Sequence, residues 1–521
     1  MRRIAALASL LGTAACTVGP NYHEPKPEVP AAFAAPQPTG AADVDLAHWW
    51  TAFHDPELEH LIEIGLQNAP DLQTAASKVR EARLQIVQAR AQGLPEIDAT
   101  GSGQYTRIKR VGGSDANQLI DQIRGSQPGG SGSGSGSSFS IPKYYATASA
   151  GFDASWELDL FGGVRRGVEA ARAQAEAAEW DARDARVSLA AEIASDYLAM
   201  RSYQEQARIA QAEADRQGRS LSILQHTAQV GLVPQGNAIR QRTQLAQAQA
   251  QVAPLEGQAR TQMHALAVLI GEQPEALVDE LAQARALPPV PPEIPPGLPI
   301  DLIRRRPDVR AAERRLAAAT AQIGVAVADM YPKISLTASD ALSWLWLGHF
   351  FLGKTLQLTG QGQASFPIFD FGRRRAQVDI NKEEREQAYI AWRQTVLGAL
   401  RDVEDALVRV DTERTSNDQL RSGVADAQRA LGTVEAQYKV GLSDYTPVLD
   451  GQQTLLQTQN SLAQSDVRLR QDMASLYKAL GGGWQLASAR GSIGPAAASP
   501  ASLNERMATL GVRSRRQNDR H

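Results

Sequence analysis

A single thiol, Cys16, is the one obvious nucleophile in this chain. It follows Thr13-Ala14-Ala15, small residues that close an apolar run begun at Ile4, with Arg2 and Arg3 ahead of it. A short basic start, an apolar stretch and small residues before a break make a secretory signal. A lone cysteine cannot form an intrachain disulfide. Other chemistry-bearing residues are sparse. The eight histidines are scattered without metal-ligand spacing. There is no phosphate-binding loop. No catalytic residue, metal or cofactor is therefore expected. One acid stands out by position: Asp450 lies in the first turns of the helix expected after Val440-Gly441-Leu442. A carboxylate there is favoured by the helix dipole in any protein. A functional part for Asp450 must come from the elements that place it.

Those elements occur twice. Thr227 to Gly271 is echoed by Gln437 to Gly481, and both open on the same break, Val230-Gly231-Leu232 and Val440-Gly441-Leu442. From Gly231 to Gly441 is 210 residues, and Leu245/Leu455, Ala253/Ala463, Arg260/Arg470, Met263/Met473 and Gly271/Gly481 keep that spacing. A shared glycine-centred break anchors the register of a duplication. Arg240 stands at the position equivalent to Asp450, so a pairing of the two is a hypothesis. Upstream, Pro70-Asp71 matches Pro307-Asp308 and Pro95 matches Pro332, both 237 apart. The drop from 237 to 210 spans the Gly/Ser tract from Gly125 to Ser138. Such a tract reads as a flexible insertion at an exposed loop.

Each half reads helix, strand, strand, long helix, break, shorter helix. Pro56 to about Gln92 and Ile300 to Ala328 carry helical periodicity and are expected as single helices ended by Pro95 and Pro332. Alternation over Ala146, Ala148, Ala150, Phe152, Ala154 and Trp156 predicts a strand. Leu356 to Phe366 alternates likewise, after an aromatic patch at Trp344 to Phe351. Helices of ~100 Å are predicted near Val164–Gln229 and Arg373–Lys439. In the second, Val396, Leu400, Val403, Leu407 and Val410 form a coiled-coil seam. Leu287 to Pro299 is a proline-rich connector.

The net charge of −3 gives no case for nucleic acid. Arg304-Arg305-Arg306 and Arg373-Arg374-Arg375 therefore read as solvated faces or a rim near lipid headgroups. No run approaches the ~18 apolar residues of a spanning helix. Insertion into a membrane must use strands, and four strands have edges that lipid cannot satisfy. They must close with strands of other chains, apolar side outward and polar side to a lumen.

Thr13-Ala14-Ala15-Cys16 resembles a bacterial lipobox, with Thr13 where Leu is usual, so Cys16 is the expected lipidation site. Trp49-Trp50, Phe53-His54-Asp55-Pro56, Asn68-Ala69-Pro70-Asp71-Leu72, the paired Val-Gly-Leu turns and Tyr445-Thr446-Pro447-Val448-Leu449-Asp450 resemble the TolC/OprM/NodT family of outer membrane efflux proteins. Cys16-Thr17-Val18-Gly19-Pro20-Asn21-Tyr22 resembles the mature start of its lipoprotein branch. The resemblance implies an internally duplicated α+β membrane protein. Four strands per chain would contribute to a trimeric 12-stranded β-barrel, continued by a long periplasmic α-helical coiled-coil barrel. It implies a homotrimer in the bacterial outer membrane, a periplasmic adaptor (membrane fusion) protein and an inner-membrane pump as partners, and outer membrane lipid around the barrel. The matching Asp of the family lines the periplasmic constriction, which gives Asp450, with Thr446 and Gln453 on its helix, as the aperture. Pro447 and Gln453 depart from the acid and arginine of some members. Val230, Gly231, Leu232, Val440, Gly441 and Leu442 are the expected adaptor-docking tips.

The expected organisation is a signal peptide at 1–15, a lipidated arm at 16–55, repeats at 56–271 and 300–483, a connector at 272–299 and a tail at 484–521. The function implied is a passive duct for drugs or other small molecules. Type I protein secretion is an alternative in the same class. A periplasmic coiled-coil scaffold is an alternative from another, and the alternating strands count against it.

Overall fold

A computed structural model describes residues 17–35, 45–107, 144–231, 233–292, 297, 299–347 and 349–485. Cys16, Leu232, the signal peptide, the Gly/Ser tract, residues 293–296 and 298 of the connector and the tail beyond 485 lie outside the described residues. After a 3-10 helix at Leu46–Phe53 come α1 (Pro56–Asn68), α2 (Pro70–Ala91), β1 (Glu96–Arg107), β2 (Tyr144–Leu158), α3 (Gly163–Gln229), α4 (Gln235–Ile270) and α5 (Val278–Leu281). The second half supplies α6 (Pro299–Arg305), α7 (Pro307–Ala328), β3 (Lys333–Leu347), β4 (Phe350–Ser365), α8 (Arg373–Lys439) and α9 (Thr446–Ala479). Among the described residues no helix is long and apolar enough to cross a membrane.

Three expected element boundaries are corrected. The helix expected over 56–92 breaks at Ala69, whose ψ of 131° leaves the helical region. The helix expected over 300–328 breaks at Arg306. Each break precedes a proline, Pro70 or Pro307, and a proline ring crowds the residue before it out of the helical conformation. The third correction concerns the aromatic patch: β3 runs through Trp344 and Trp346 to Leu347, with an irregularity between Leu345 and Trp346.

The chain divides into two compact units that do not follow the sequence repeat. One takes Ala76–Trp180, Asp308–Thr395 and the arm up to Pro27. It holds the sheet, in the order β1-β2-β3-β4, with every neighbouring pair antiparallel. The arm is seated by one side chain. Arg166, buried, donates from Nε to Val18 O (3.1 Å) and from Nη2 to Gly19 O (3.3 Å) and Asn21 Oδ1 (2.8 Å). Gly19 has a φ of 89°, and a Cβ there would lie 2.5 Å from Gly324 Cα, so only glycine fits. Tyr22 donates its hydroxyl to Glu313.

The other unit takes Glu28–Ala75, Asp181–Pro307 and the chain from Val396. Its apolar core joins Trp49, Trp50 and Phe53 to Leu58, Ile62, Ile193, Leu266, Ile270 and Tyr477. Asp55 caps α1 by accepting from Glu57 N (3.0 Å) and Leu58 N (3.3 Å). It also accepts from the Tyr197 hydroxyl at 2.7 Å, and burial raises that phenol's pKa. Arg201, fully buried, pairs with Glu57 and donates to Tyr197, Gln204 and Gln283 O. The Phe-His-Asp-Pro motif is thus a fastening of α1 onto α3. Arg306 corrects the solvated reading of its run: it donates to Ala479 O at 3.2 Å and to Asp402 at 3.1 Å.

Candidate channel wall and helical tip

The sheet has two chemically distinct faces, and the ladder registers decide which residues share each. Directly opposed residues of an antiparallel pair point to the same side. Ala154 opposes Ala338, which opposes Gly360; Trp156 opposes Leu336, which opposes Gly362. Ile97, Ala99, Tyr105, Ile334, Leu342, Leu356 and Leu358 share that apolar side. The opposite side carries Asp98, Thr100, Ser102, Ser149, Asp153, Thr337, Gln361 and Gln363. There the Ser102 and Ser149 hydroxyls lie 2.7 Å apart, and Thr100 donates to Asp153 at 2.9 Å.

Aromatic residues mark both ends of the apolar side. Trp344, Trp346 and Phe351 stand on that side near the β3–β4 turn, with the ring centroids of Trp346 and Phe351 5.7 Å apart, while Phe350, opposite Leu347, falls on the other side. At the other end Trp156 stands on that side, and Phe366, Phe369 and Phe371 follow the end of β4, with the rings of Phe369 and Phe371 4.5 Å apart and Phe371 91% exposed. Ten residues of ladder separate the level of Trp346, opposite Ala146, from that of Trp156. At ~3.3 Å per residue and a tilt of about 40° this is roughly 25 Å, the height of the apolar band of a membrane barrel.

The structure adds charged exceptions. On the apolar side Lys354 opposes Trp344 within the aromatic row near the β3–β4 turn, and Asp340 lies in the middle of the band between the two rows. Asp340 Oδ1 accepts from Phe152 N at 2.7 Å. A Cβ at Gly151 would fall 1.8 Å from Asp340 O, so β2 and β3 meet there through a glycine.

The tip residues lie in the second unit. Gly231 and Gly441 both have a φ of 79°. Each ends a 67-residue helix in the left-handed conformation glycine tolerates. Gly441 N donates to Tyr438 O (3.0 Å) and Leu442 N to Gln437 O (2.9 Å); Gly231 N donates to Ala228 O (3.1 Å). A Cβ on either glycine would meet nothing within 4 Å. Val230, Val440 and Leu442 are exposed, Leu442 at 80%. These turns are open apolar knuckles rather than packed corners.

Thr446, Asp450 and Gln453 are all exposed, and their spacing of four and three places them on one face of α9. Val448, Gln452 and Leu455 are buried on the other side. Arg240 is also exposed, and no ion pair joins it to Asp450 within the chain among the described residues. Beneath the turns, Leu224, Leu431, Tyr445, Val448 and Leu455 form an apolar cluster. Inside it lies a polar layer unmarked by any sequence motif: Gln217 of α3, Gln241 of α4 and Gln452 of α9 are all buried. The available signal was Gln452 on the apolar stripe Val448, Gln452, Leu455. No cluster of three or more His, Cys, Asp or Glu able to hold a metal occurs among the described residues.

An amphipathic antiparallel sheet joined to 67-residue helices is the architecture of outer-membrane channels. The chain matches the solved outer-membrane channel OprN with a TM-score of 0.75 at 30% identity, covering 90% of this chain and 100% of that one. It matches the open-state MtrE channel of Neisseria gonorrhoeae with a TM-score of 0.72 at 26% identity, over 90% and 99%. The chain belongs to the outer membrane efflux protein family, whose model matches residues 61–272 and 298–482. Among relatives, Nodulation protein T of Rhizobium leguminosarum bv. trifolii is 31% identical over 470 residues, 89% of this chain and 93% of its own. The toluene efflux pump outer membrane protein TtgC of Pseudomonas putida is 31% identical over 496 residues, 92% of this chain and 95% of its own.

Proposed function

We propose that this protein is the outer-membrane duct of a tripartite efflux pump. Three copies close their four-stranded sheets, β4 of one against β1 of the next, into a 12-stranded barrel. Helices continue it as a periplasmic tunnel. The signal peptide is removed at Cys16, whose lipid adds an anchor, and the two repeats are joined by the 272–299 connector. The Val-Gly-Leu turns are where a periplasmic adaptor, itself bound to an inner-membrane pump, docks. Thr446, Asp450 and Gln453, repeated three times, form the aperture. Like-charged carboxylates brought together there favour cations. The cargo is drugs or other small molecules, and the duct is passive, with its energy supplied by the pump.

One observation carries this reading: a sheet apolar on one side between two aromatic rows, polar on the other, and open at both edges. Lipid cannot satisfy an open edge. Membrane fractionation, chemical crosslinking and planar-bilayer conductance test it together. The expected result is an outer-membrane trimer with conductance. A soluble monomer that does not conduct would sink it.

A further inference from the structure

The buried glutamine layer beneath the turns has no part in the duct as described so far. Its hydrogen bonds form one connected chain across three helices. Gln217 donates both amide hydrogens, one to Glu213 and one to Gln452 Oε1 at 3.2 Å. Gln241 donates both of its own to Gln217, to the side-chain Oε1 and to the backbone O at 3.0 Å. The Tyr445 hydroxyl donates to Gln241 Oε1 at 3.3 Å. Every donor of the Gln217 and Gln241 amides is used, so the layer has one satisfied arrangement. Gln241 is 0% exposed and Gln452 1%. Arg216 Nη2 stands 2.6 Å from Glu213 Oε2, off the hydrogen-bonding direction, and balances the buried charge.

An apolar layer at this level would let helices slide or turn past one another at small cost. A buried amide layer does not, because a displaced amide leaves donors unpaired out of water. Gln452 lies two residues beyond Asp450 on α9, and at ~100° per residue the two point to nearly opposite sides. Holding Gln452 inward therefore holds Asp450 outward. Any rotation of α9 that moves Asp450 must first break the bonds from Gln217 to Gln452 and from Tyr445 to Gln241.

We propose that Gln217, Gln241 and Gln452 form a latch that fixes the rotation of α9, and with it the aperture carboxylate, against α3 and α4. Gln217 is the shared keeper, since its side chain bonds directly to the glutamines of both α4 and α9. These are positioning residues: none touches cargo. The latch rests on the duct reading above and deepens it.

The test uses the full-length protein in planar bilayers, with Gln217→Leu, Gln452→Leu and the double variant. Each removes the amide and keeps an apolar side chain of similar reach. The expected result is a several-fold rise in conductance or open probability over the unchanged protein. The double variant should rise no further than Gln217→Leu alone, because the bond from Gln217 to Gln452 is already broken there. Thermal stability of the trimer should fall, because each variant leaves buried amide groups of the layer unpaired. Wild-type conductance in all three variants, with only stability altered, would overturn the latch and leave the duct standing. Absence of conductance in the unchanged protein and in every variant would overturn the duct, and the latch with it. Where a leucine variant does not assemble, Gln452→Met carries the same comparison.

Discussion

The two glycine turns are nearly the same backbone put to different use. Gly231 and Gly441 share a φ of 79°, an open Cβ direction and an exposed valine before them. The helices that leave them differ. Seven residues of α4 are buried, against thirteen of α9. Helix α4 starts behind Pro234 and contains Pro254, whereas α9 starts with Thr446-Pro447 and carries the buried stripe of Val448, Gln452 and Leu455. At the equivalent exposed position one has Arg240 and the other Asp450. Duplication therefore supplied the reversal, and divergence after it supplied the packing and the charge. A repeat conserves what backbone sterics demand and frees what side chains decide.

Breaking the equivalence at the turns should have the largest effect. A tryptophan at Gly441 has room for its Cβ, and the left-handed backbone costs about 1–2 kcal/mol for a non-glycine residue. The trimer should survive Gly441→Trp on native gels while drug export falls to the level of a deletion strain. The same change at Gly231 shows whether both knuckles dock or only one, and loss of the trimer would return the turns to simple chain reversal. Next comes the charge difference. Asp450→Arg should turn cation preference into anion preference in reversal-potential measurements, while Arg240→Asp should move it less. Unchanged selectivity in Asp450→Arg would remove Asp450 from the aperture.

The core beneath the turns gives a smaller effect. Leu224 is fully buried in the apolar cluster there, and truncating such a leucine costs ~2–5 kcal/mol. Leu224→Ala should lower the denaturation midpoint and speed proteolysis at both turns; cleavage at one alone would show that they do not share this core. The smallest expected effect is at Tyr445. Burial raises its phenol pKa, so the folded chain keeps the proton to a higher pH than the unfolded chain, which titrates near ~10. Stability from this group is present below that pH and is lost as pH rises past it. Tyr445→Phe should flatten the stability profile between about pH 9 and 11; an unaltered profile would place the phenol in water.

Much of this fold was legible in order of elements. The extents of β2, α3 and α8 follow from alternation and periodicity, because those patterns reflect which side of an element meets an apolar surface. Periodicity alone does not mark the breaks at Ala69 and Arg306, because each stretch flanking Pro70 and Pro307 continues the same apolar stripe. The extent of β3 was hidden by Trp344 and Trp346, which read as a patch rather than as alternate rungs.

By itself the sequence determined the duplication, the glycine turns, the amphipathic strands and the family, all of which depend on residue type and local spacing. Tertiary structure alone decided that Arg166 seats the arm and that Arg201 fastens α1 to α3. It alone placed Asp340 on the apolar side and drew Gln217, Gln241 and Gln452 into one layer. These contacts join residues tens to hundreds of positions apart. A buried glutamine or arginine looks in sequence like any solvated one, until packing takes its water away.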